Sequence, residues 1–215
     1  MTAVKITGIR TVAEAEVAVA CGATALGLRL DPSAVRSVDV DTARAIVAAV
    51  GARTLVVGVV TAAPLATVLA LRDTSHVACV ELRGEVPPAL LAPLLPHAYV
   101  SLPLREAGVV EAAQRYGGRY LLLERELADT RVVATDDGLW DVAAQLAAER
   151  RITLAGALGP TNVGAAIARV APFCVDLPLD DDDAAPAARI AAFVAAVREA
   201  DARALSVAPA APGRA

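Results

Sequence analysis

Several polar side chains lie within or directly after short apolar runs of this sequence. In such positions they could take part in catalysis or substrate binding. They are Lys5, Thr7, Glu81, Arg83, Glu124 and Asp176. Carboxylates serve as general acids or bases where their surroundings shift their pKa, and cations orient anionic groups. Together on one apolar surface, these residues predict a small-molecule pocket. For each of them, a salt bridge with no catalytic role is the alternative.

The elements that must position these residues alternate between β-branched runs and longer Ala-rich stretches of helical period. The predicted strands are Val4–Ile9, Ala25–Leu30, Thr54–Val60, Val77–Leu82, Ala98–Leu102, Tyr120–Leu123, Ile152–Ala155 and Phe173–Leu177. Eight β-then-α units match a closed parallel barrel, and near-continuous apolar strands fit a sheet buried on both faces. We therefore predict an α/β fold, a single-domain (β/α)8 TIM barrel over residues 1–200, with a disordered Ala/Pro-rich tail over 201–215. The alternative is an open doubly wound sheet, but no G-x-G-x-x-G follows the first strand.

Such a barrel has its active site at the carboxyl ends of its strands. Alternation along a strand places Lys5 and Thr7 on one face of the first strand, and Glu81 and Arg83 on one face of the fourth. Glu124 directly follows the apolar run "YLLL" of the sixth strand. We expect these side chains to meet at one mouth of the barrel.

The two histidines are excluded from this mouth by their position. His76 and His97 each precede a predicted strand, so they belong to the opposite end of the barrel. We interpret both as structural or solvent-facing residues and not as the acid or base of the site.

Bulk composition excludes several other classes of protein. The net charge is −4 and basic residues are scattered, which argues against a nucleic-acid partner. No apolar run reaches the roughly 18 residues of a membrane span, and the first residues lack a signal-peptide layout, so a cytoplasmic protein is expected. Cys21, Cys79 and Cys174 are odd in number and far apart, which fits neither a disulfide framework nor a zinc site.

Several segments, in this order and spacing, resemble those of phosphoribosylanthranilate isomerases, single-domain (β/α)8 enzymes of tryptophan biosynthesis. "VKITGIR" is similar to that family's V-K-I-C-G-I-T, and "VRSV" stands where the family has P-R-Y-V. "VELRGE" occupies the position of the family's V-Q-L-H-G-D-E, and "YLLLE" that of L-L-L-D. "LAGALGPTNV" is close to L-A-G-G-L-T-P-E-N-V, and "VDLPLD" replaces V-D-V-S-S-G. The resemblance spans nearly the whole chain.

The family's reaction is an Amadori rearrangement, in which a base removes the C2′ proton of an aminoaldose and an acid protonates its ring oxygen. The resemblance implies a Cys base in the first strand and an Asp acid after the sixth, where this chain has Thr7 and Glu124. A threonine hydroxyl without an adjacent histidine is a poor substitute for a thiolate, so Thr7 is interpreted as a hydrogen-bonding or packing residue. Glu124 keeps a carboxyl but adds a methylene.

The resemblance also implies a phosphate site built by Gly-rich loops after strands 6, 7 and 8. Here one glycine of the seventh loop is Ala157, and the S-S-G of the eighth is Pro178, Leu179 and Asp180. Pro178 lacks a donor N–H, and the aspartates at 180–183 place like charge where a phosphate would sit. We therefore expect the phosphate site to be lost. Adjacent aspartates lack the spacing of metal ligands, so a solvated loop is the default and no metal is predicted.

Two arginines remain as candidates for binding an anionic substrate. The resemblance implies that Arg36 meets the anthranilate carboxylate, which suits a guanidinium. Arg83 stands where the family has His and offers a second cation. The alternative is that Arg36 pairs with Asp31 or Asp39 nearby.

The leading hypothesis is a diverged barrel enzyme without a cofactor. It would isomerise or cyclise a non-phosphorylated small molecule that carries a carboxylate or another oxygen-rich group, in specialised metabolism. The catalytic candidates are Glu124, Asp176 and Thr7, and the substrate-binding candidates are Arg36, Arg83, Glu81 and Lys5. A monomer or homodimer is expected. The alternatives are a phosphoribosylanthranilate isomerase with altered catalysts and a non-catalytic binding or scaffold protein.

Overall fold

Eight parallel strands close into a barrel, with each strand paired to the next in sequence and β8 paired back to β1. The computed structural model describes residues 1–105, 108–125, 137–181 and 185–207. The strands are β1 (Ala3–Thr7), β2 (Ala25–Arg29), β3 (Leu55–Thr61), β4 (Cys79–Arg83), β5 (Ala98–Pro103), β6 (Tyr120–Glu124), β7 (Arg151–Ala155) and β8 (Cys174–Pro178). The predicted (β/α)8 barrel is confirmed, and the strand ends agree with the prediction to within two residues.

A helix follows each strand. The helices are α1 (Val12–Ala20), α2 (Val40–Val50), α3 (Leu65–Ser75), α4 (Pro88–Leu91), α5 (Val109–Gln114), α6 (Asp137–Glu149), α7 (Val163–Val170) and α8 (Pro186–Val207). A single 3-10 turn, Ala92–Leu94, extends α4. In the part of the chain described above, no helix is both long and apolar enough to cross a bilayer.

The strands form because runs of Val, Leu and Ile can be buried on both faces of a parallel sheet. Their outward faces pack under the helices in one large core, which includes Ile6, Leu26 and Leu121. Inside the barrel lies a second, small apolar cluster of Val57, Tyr99, Leu122 and Ala155. The buried polar side chains of Lys5, Glu81 and Asp176 are joined to one another in the same interior.

Helix α8 continues past residue 200, where the sequence analysis placed the end of the barrel domain. The Asp201 carboxylate accepts hydrogen bonds from the Thr2 backbone N–H at 2.8 Å and from the Thr2 hydroxyl at 2.7 Å. These contacts tie the last helix to the start of β1, which explains why the helix does not stop at the predicted boundary. Residues 208–215 of the predicted tail lie outside the described part of the chain.

Candidate active site

Six side chains, Lys5, Thr7, Glu81, Arg83, Glu124 and Asp176, are joined by hydrogen bonds and ion pairs in the barrel; we call them the mouth cluster. Lys5 is its centre, with Nζ 2.5 Å from Glu81 Oε2 and 3.0 Å from Asp176 Oδ2. The strand register explains the second contact, because Lys5 pairs with Asp176 across the β1–β8 seam. The structure therefore brings together all six residues that the sequence placed at one mouth.

Thr7 lies against Asp176 at the top of the same seam. Its hydroxyl oxygen is 2.8 Å from Asp176 Oδ1 and 2.9 Å from Oδ2. Room for the hydroxyl comes from Gly27, the strand partner of Thr7, since a Cβ there would lie 2.6 Å from Thr7 Oγ1. Both Thr7 and Asp176 are 1% exposed. This burial suits them to positioning the other side chains of the mouth cluster and leaves little surface for contact with a ligand.

Arg83 links the buried part of the cluster to its exposed part. Its Nε donates to Glu81 Oε1 at 2.7 Å, and its terminal nitrogen lies 3.2 Å from Glu124 Oε1. Of the three carboxylates in the mouth cluster, Glu124 has a side chain that is 33% exposed, against 0% for Glu81 and 2% for Asp176. Glu124 is therefore the carboxylate of this cluster that a substrate can reach.

The pKa of Glu124 is raised above its ordinary value. Burial is the main cause, and the negative charges of Glu81 and Asp176 add to it, whereas the Arg83 guanidinium opposes it. Since a raised pKa lets a carboxyl keep its proton closer to neutral pH, this environment suits Glu124 to acid–base chemistry.

Lys5 and Glu81 are held in their charged forms although both are fully buried. Burial disfavours each charge, but the attraction between Lys5 and its two carboxylates raises the pKa of Lys5. For Glu81, burial is outweighed by Lys5 and Arg83, which lower the pKa of its carboxyl to about 2. The hydroxyl of Tyr99 also donates to Glu81 Oε2, at 3.0 Å.

This depressed pKa predicts a loss of stability in acid. The folded state binds a proton at Glu81 less readily than the unfolded state does, so the stabilisation is complete above the ordinary pKa of 4.5 and is lost as pH falls toward about 2. We expect the urea midpoint to fall as pH is lowered across this window, and to fall less in Glu81→Gln. The exposed Glu199 gives a matched control: Glu199→Gln should follow the wild-type pH profile. If Glu81→Gln and wild type lost stability equally in acid, the lowered pKa of Glu81 would not be the cause of the acid sensitivity.

Arg36 is held apart from the mouth cluster. Its Nε donates to the Gly8 carbonyl at 2.6 Å, and a terminal nitrogen donates to Glu14 Oε2 at 2.8 Å. The predicted alternative partners are engaged elsewhere: Asp31 accepts from Ser33, and Asp39 caps helix α2 at Thr42. The alternative in which Arg36 pairs with Asp31 or Asp39 is therefore wrong, because Asp31 stabilises a local turn and Asp39 caps helix α2, and Arg36 pairs with Glu14 instead.

The aspartates after β8 are partly neutralised. Asp181 Oδ1 lies 2.9 Å from a terminal nitrogen of Arg10 and 3.8 Å from one of Arg36. Asp182 and Asp183 lie outside the described residues. Within the described ranges, no group of three or more His, Cys, Asp or Glu side chains is arranged to hold a metal ion. The charge argument against a phosphate at this loop is weakened, since two arginines offset Asp181.

The loop after β7 has a position that only glycine can occupy, as is typical of loops whose backbone N–H groups line a binding site. Gly156 has a φ of +80°, and a Cβ there would lie 2.3 Å from the carbonyl oxygen of Arg125, so only glycine fits. Ala157 follows with a φ of 50°, a conformation that glycine adopts more easily. The Asn162 side chain closes the loop by accepting from the Gly159 N–H at 2.8 Å and donating to the Ala157 carbonyl at 2.7 Å.

Sequence reasoning overlooked Arg29. It ends β2, where alternation places it on the same inward face as Gly27 and Ala25. With Arg83 and Thr61 it lines a cavity of about 210 Å³ at the carboxyl ends of β2, β3 and β4. The alternation rule applied to the first and fourth strands would have found it in the second as well.

The histidines lie at the other end of the barrel. His76 ends helix α3, and His97 precedes β5. His97 lines a cavity of about 380 Å³ together with the amino-terminal strand residues Ala3, Ala25 and Cys174. The lining of this cavity also includes Lys5 of the mouth cluster, but both histidines precede their strands and so lie at the amino-terminal end of the barrel, opposite its mouth.

Comparison with known proteins identifies a family. A profile of "N-(5'phosphoribosyl)anthranilate (PRA) isomerase" matches residues 4–178. The chain is 32% identical, over 177 residues, to the N-(5'-phosphoribosyl)anthranilate isomerase of Pelobacter propionicus, a match that covers 82% of this chain and 85% of that protein.

Solved structures agree. The chain is similar to the phosphoribosyl anthranilate isomerase of Thermus thermophilus, with a TM-score of 0.77, 29% identity, and 92% and 99% of the two chains covered. It is also similar to a phosphoribosyl anthranilate isomerase bound to reduced 1-(o-carboxyphenylamino)-1-deoxyribulose 5-phosphate, with a TM-score of 0.80, 25% identity, and 93% and 100% covered.

These relatives overturn the leading hypothesis of the sequence analysis. The hypothesis of an enzyme of specialised metabolism that isomerises or cyclises a non-phosphorylated molecule is wrong, since relatives at about 30% identity are named N-(5'-phosphoribosyl)anthranilate isomerase and one similar structure holds a 5-phosphate ligand. The acidic loop after β8 is less repulsive to a phosphate than its sequence predicts, because Arg10 and Arg36 lie close to Asp181. The alternative of an isomerase with altered catalysts is the better supported.

Proposed function

Because the chain belongs to the N-(5'-phosphoribosyl)anthranilate isomerase family, we propose that it isomerises N-(5′-phosphoribosyl)anthranilate to the corresponding aminodeoxyribulose phosphate, with altered catalytic groups. The observation that supports this most is the match to the family over nearly the whole barrel, residues 4–178. Glu124 at the barrel mouth supplies a titrating group suited to the reaction.

Glu124 first acts as the general acid. Its raised pKa makes the protonated carboxyl more available than in an ordinary glutamic acid, and this acid donates to the ribose ring oxygen. The C1′–O bond breaks while the nitrogen lone pair forms a C=N bond, so the ring opens. The exposed 33% of the Glu124 side chain gives the sugar access to this proton.

The same carboxyl, now ionised, then acts as the base. It removes the proton from C2′ to give an enol, which becomes a ketone when C1′ gains a proton and the enol hydroxyl loses one, so no atom is gained or lost overall. One carboxylate in both roles accounts for the absence of a thiolate at Thr7, whose side chain is 1% exposed and bonded to Asp176. Proton transfer of this kind needs no cofactor.

The buried members of the cluster position Glu124. Glu81 holds Arg83 at 2.7 Å, and Arg83 in turn lies 3.2 Å from Glu124. Burial keeps the pKa of Glu124 raised although the Arg83 guanidinium lowers it, and the negative charges of Glu81 and Asp176 add to the effect of burial. Lys5 and Thr7 hold these two carboxylates in place.

The test is genetic and biochemical. We expect expression of this chain to restore growth without tryptophan to a bacterial strain that lacks its own isomerase. We also expect the purified protein to consume N-(5′-phosphoribosyl)anthranilate. An empty vector and the Glu124→Gln variant are the controls. Failure of both growth and turnover, with a folded protein present, would reject this function and favour a non-catalytic protein on the same fold.

A further inference from the structure

Tyr99 is a buried tyrosine of the barrel interior that is not a member of the mouth cluster but contacts it. It is the strand partner of Glu81 between β4 and β5. Its ring packs in the small interior cluster with Val57, Leu122 and Ala155, and only 8% of the residue is exposed. This packing fixes the position of the ring and, with it, the position of the hydroxyl.

The hydroxyl of Tyr99 is a neutral hydrogen-bond donor to a buried anion. It donates to Glu81 Oε2 at 3.0 Å. Burial raises the pKa of Tyr99 well above its ordinary value, and the negative charge of Glu81 raises it further, so the phenol keeps its proton. The same oxygen of Glu81 accepts from Lys5 Nζ at 2.5 Å. Two donors therefore hold Glu81 Oε2 in place.

The other oxygen of the Glu81 carboxylate holds Arg83. Arg83 Nε donates to Glu81 Oε1 at 2.7 Å, and a terminal nitrogen of the same guanidinium lies 3.2 Å from Glu124 Oε1. Because a guanidinium is planar and rigid, the direction of its contact with Glu81 also sets the direction of its contact with Glu124. A rotation of the Glu81 carboxylate would displace Arg83 from Glu124.

We propose that Tyr99 is a positioning residue, whose hydroxyl fixes the Glu81 carboxylate so that Arg83 is held beside Glu124. The effect on turnover rests on the proposed function, in which Glu124 transfers the proton. Without the hydroxyl, Glu81 Oε2 keeps Lys5 as its remaining side-chain donor among the contacts described above. The terminal torsion of a glutamate has a broad energy minimum, so the carboxylate can then turn and carry Arg83 with it.

The alternative is that the Tyr99 hydroxyl only satisfies its own need for a hydrogen bond in the barrel interior. Its removal would then lower stability and leave the active site unchanged. A second tyrosine provides the matched control, since the Tyr116 hydroxyl donates to the Val86 carbonyl at 2.6 Å and neither residue belongs to the mouth cluster.

The first measurement is kinetic. Tyr99→Phe removes the hydroxyl and keeps the ring. We expect kcat for N-(5′-phosphoribosyl)anthranilate to fall by about 10-fold with little change in KM, because small displacements of a catalytic group lower the rate steeply. Tyr116→Phe, which also removes one hydroxyl hydrogen bond, should leave both constants unchanged.

The second measurement needs no turnover. The titration of the Glu124 carboxyl is followed by carbon-13 NMR, with Glu124→Gln to assign its signal. Arg83 lowers the pKa of Glu124, whereas burial, Glu81 and Asp176 raise it. A looser contact with Arg83 should therefore move the Glu124 midpoint to higher pH in Tyr99→Phe and leave it in place in Tyr116→Phe.

If Tyr99→Phe does not fold, a label in the otherwise unchanged chain replaces it. 3-Fluorotyrosine is incorporated at the three tyrosines, and Tyr116→Phe and Tyr120→Phe assign the fluorine signals by elimination. Since coupling between two groups is reciprocal, the Tyr99 signal should move as Glu124 titrates. A Tyr99 signal that does not respond to the Glu124 titration would overturn the proposal.

In Tyr99→Phe, an unchanged Glu124 midpoint would overturn the positioning role, even if kcat falls, because the hydroxyl would then not act through Arg83. A midpoint that moves in a protein without turnover would reject the proposed function and support the positioning of Glu124. Turnover in wild type, with kcat and midpoint both unchanged in Tyr99→Phe, would support the function and reject the role of Tyr99.

Discussion

Replacing Glu124 with Gln should lower the turnover of N-(5′-phosphoribosyl)anthranilate by about 100-fold or more, because the amide cannot transfer a proton. The change is nearly isosteric, and the Glu124 side chain is 33% exposed, so folding should be unaffected. Turnover is followed by the optical change of the aminobenzoate group, and folding by the thermal midpoint. Since the amide oxygen can still accept from Arg83, the loss should fall on kcat more than on KM.

Glu124→Asp is the matched control, because it keeps the carboxyl and shortens the side chain by one methylene. We expect turnover between those of wild type and Glu124→Gln, since the 3.2 Å contact with Arg83 is altered while proton transfer is retained. Undiminished turnover in Glu124→Gln would assign the proton transfer to another group. Asp176 would then be the next carboxylate to replace.

Replacing Lys5 with Met should lower the free energy of unfolding by about 3–5 kcal/mol, a large part of the total for a domain of this kind. Methionine fills a similar volume, but Glu81 and Asp176 are left without the ammonium that lies 2.5 Å from one and 3.0 Å from the other. Both carboxylates are buried, so each would lose a charged partner in a site that is poorly solvated. Urea denaturation near neutral pH measures the change.

An exposed ion pair on helix α8 provides the comparison. Arg203 pairs with Glu199 one turn away, and both side chains are largely exposed. Arg203→Ala should change the free energy of unfolding by less than about 1 kcal/mol, as is usual for surface pairs. Adding Glu81→Gln and Asp176→Asn to Lys5→Met should recover much of the lost stability, because no buried charge would then remain unpaired. A cost below about 1 kcal/mol for Lys5→Met alone would mean that the two carboxylates are not held as anions by Lys5.

The sequence by itself determined that the fold is a barrel and at which end of the barrel the mouth cluster lies. Apolar runs and Ala-rich helical stretches alternate with the period of β-then-α units, and that pattern depends only on local chain geometry. The same rule placed Glu124 at the end of an apolar strand and excluded the two histidines. These inferences held because the strand direction and the side-chain face are both local properties.

Only the tertiary structure decided which charges compensate one another. Lys5 meets Asp176 because β1 closes against β8, and Glu81 reaches Lys5 across the barrel interior. Asp181 is offset by Arg10, and Arg36 is held by Glu14. Charges many residues apart in sequence become neighbours only when the barrel closes, and electrostatic energy depends on their separation in space and on burial. For that physical reason the aspartates after β8 could be counted in the sequence, but their effect on a bound phosphate could not be judged from it.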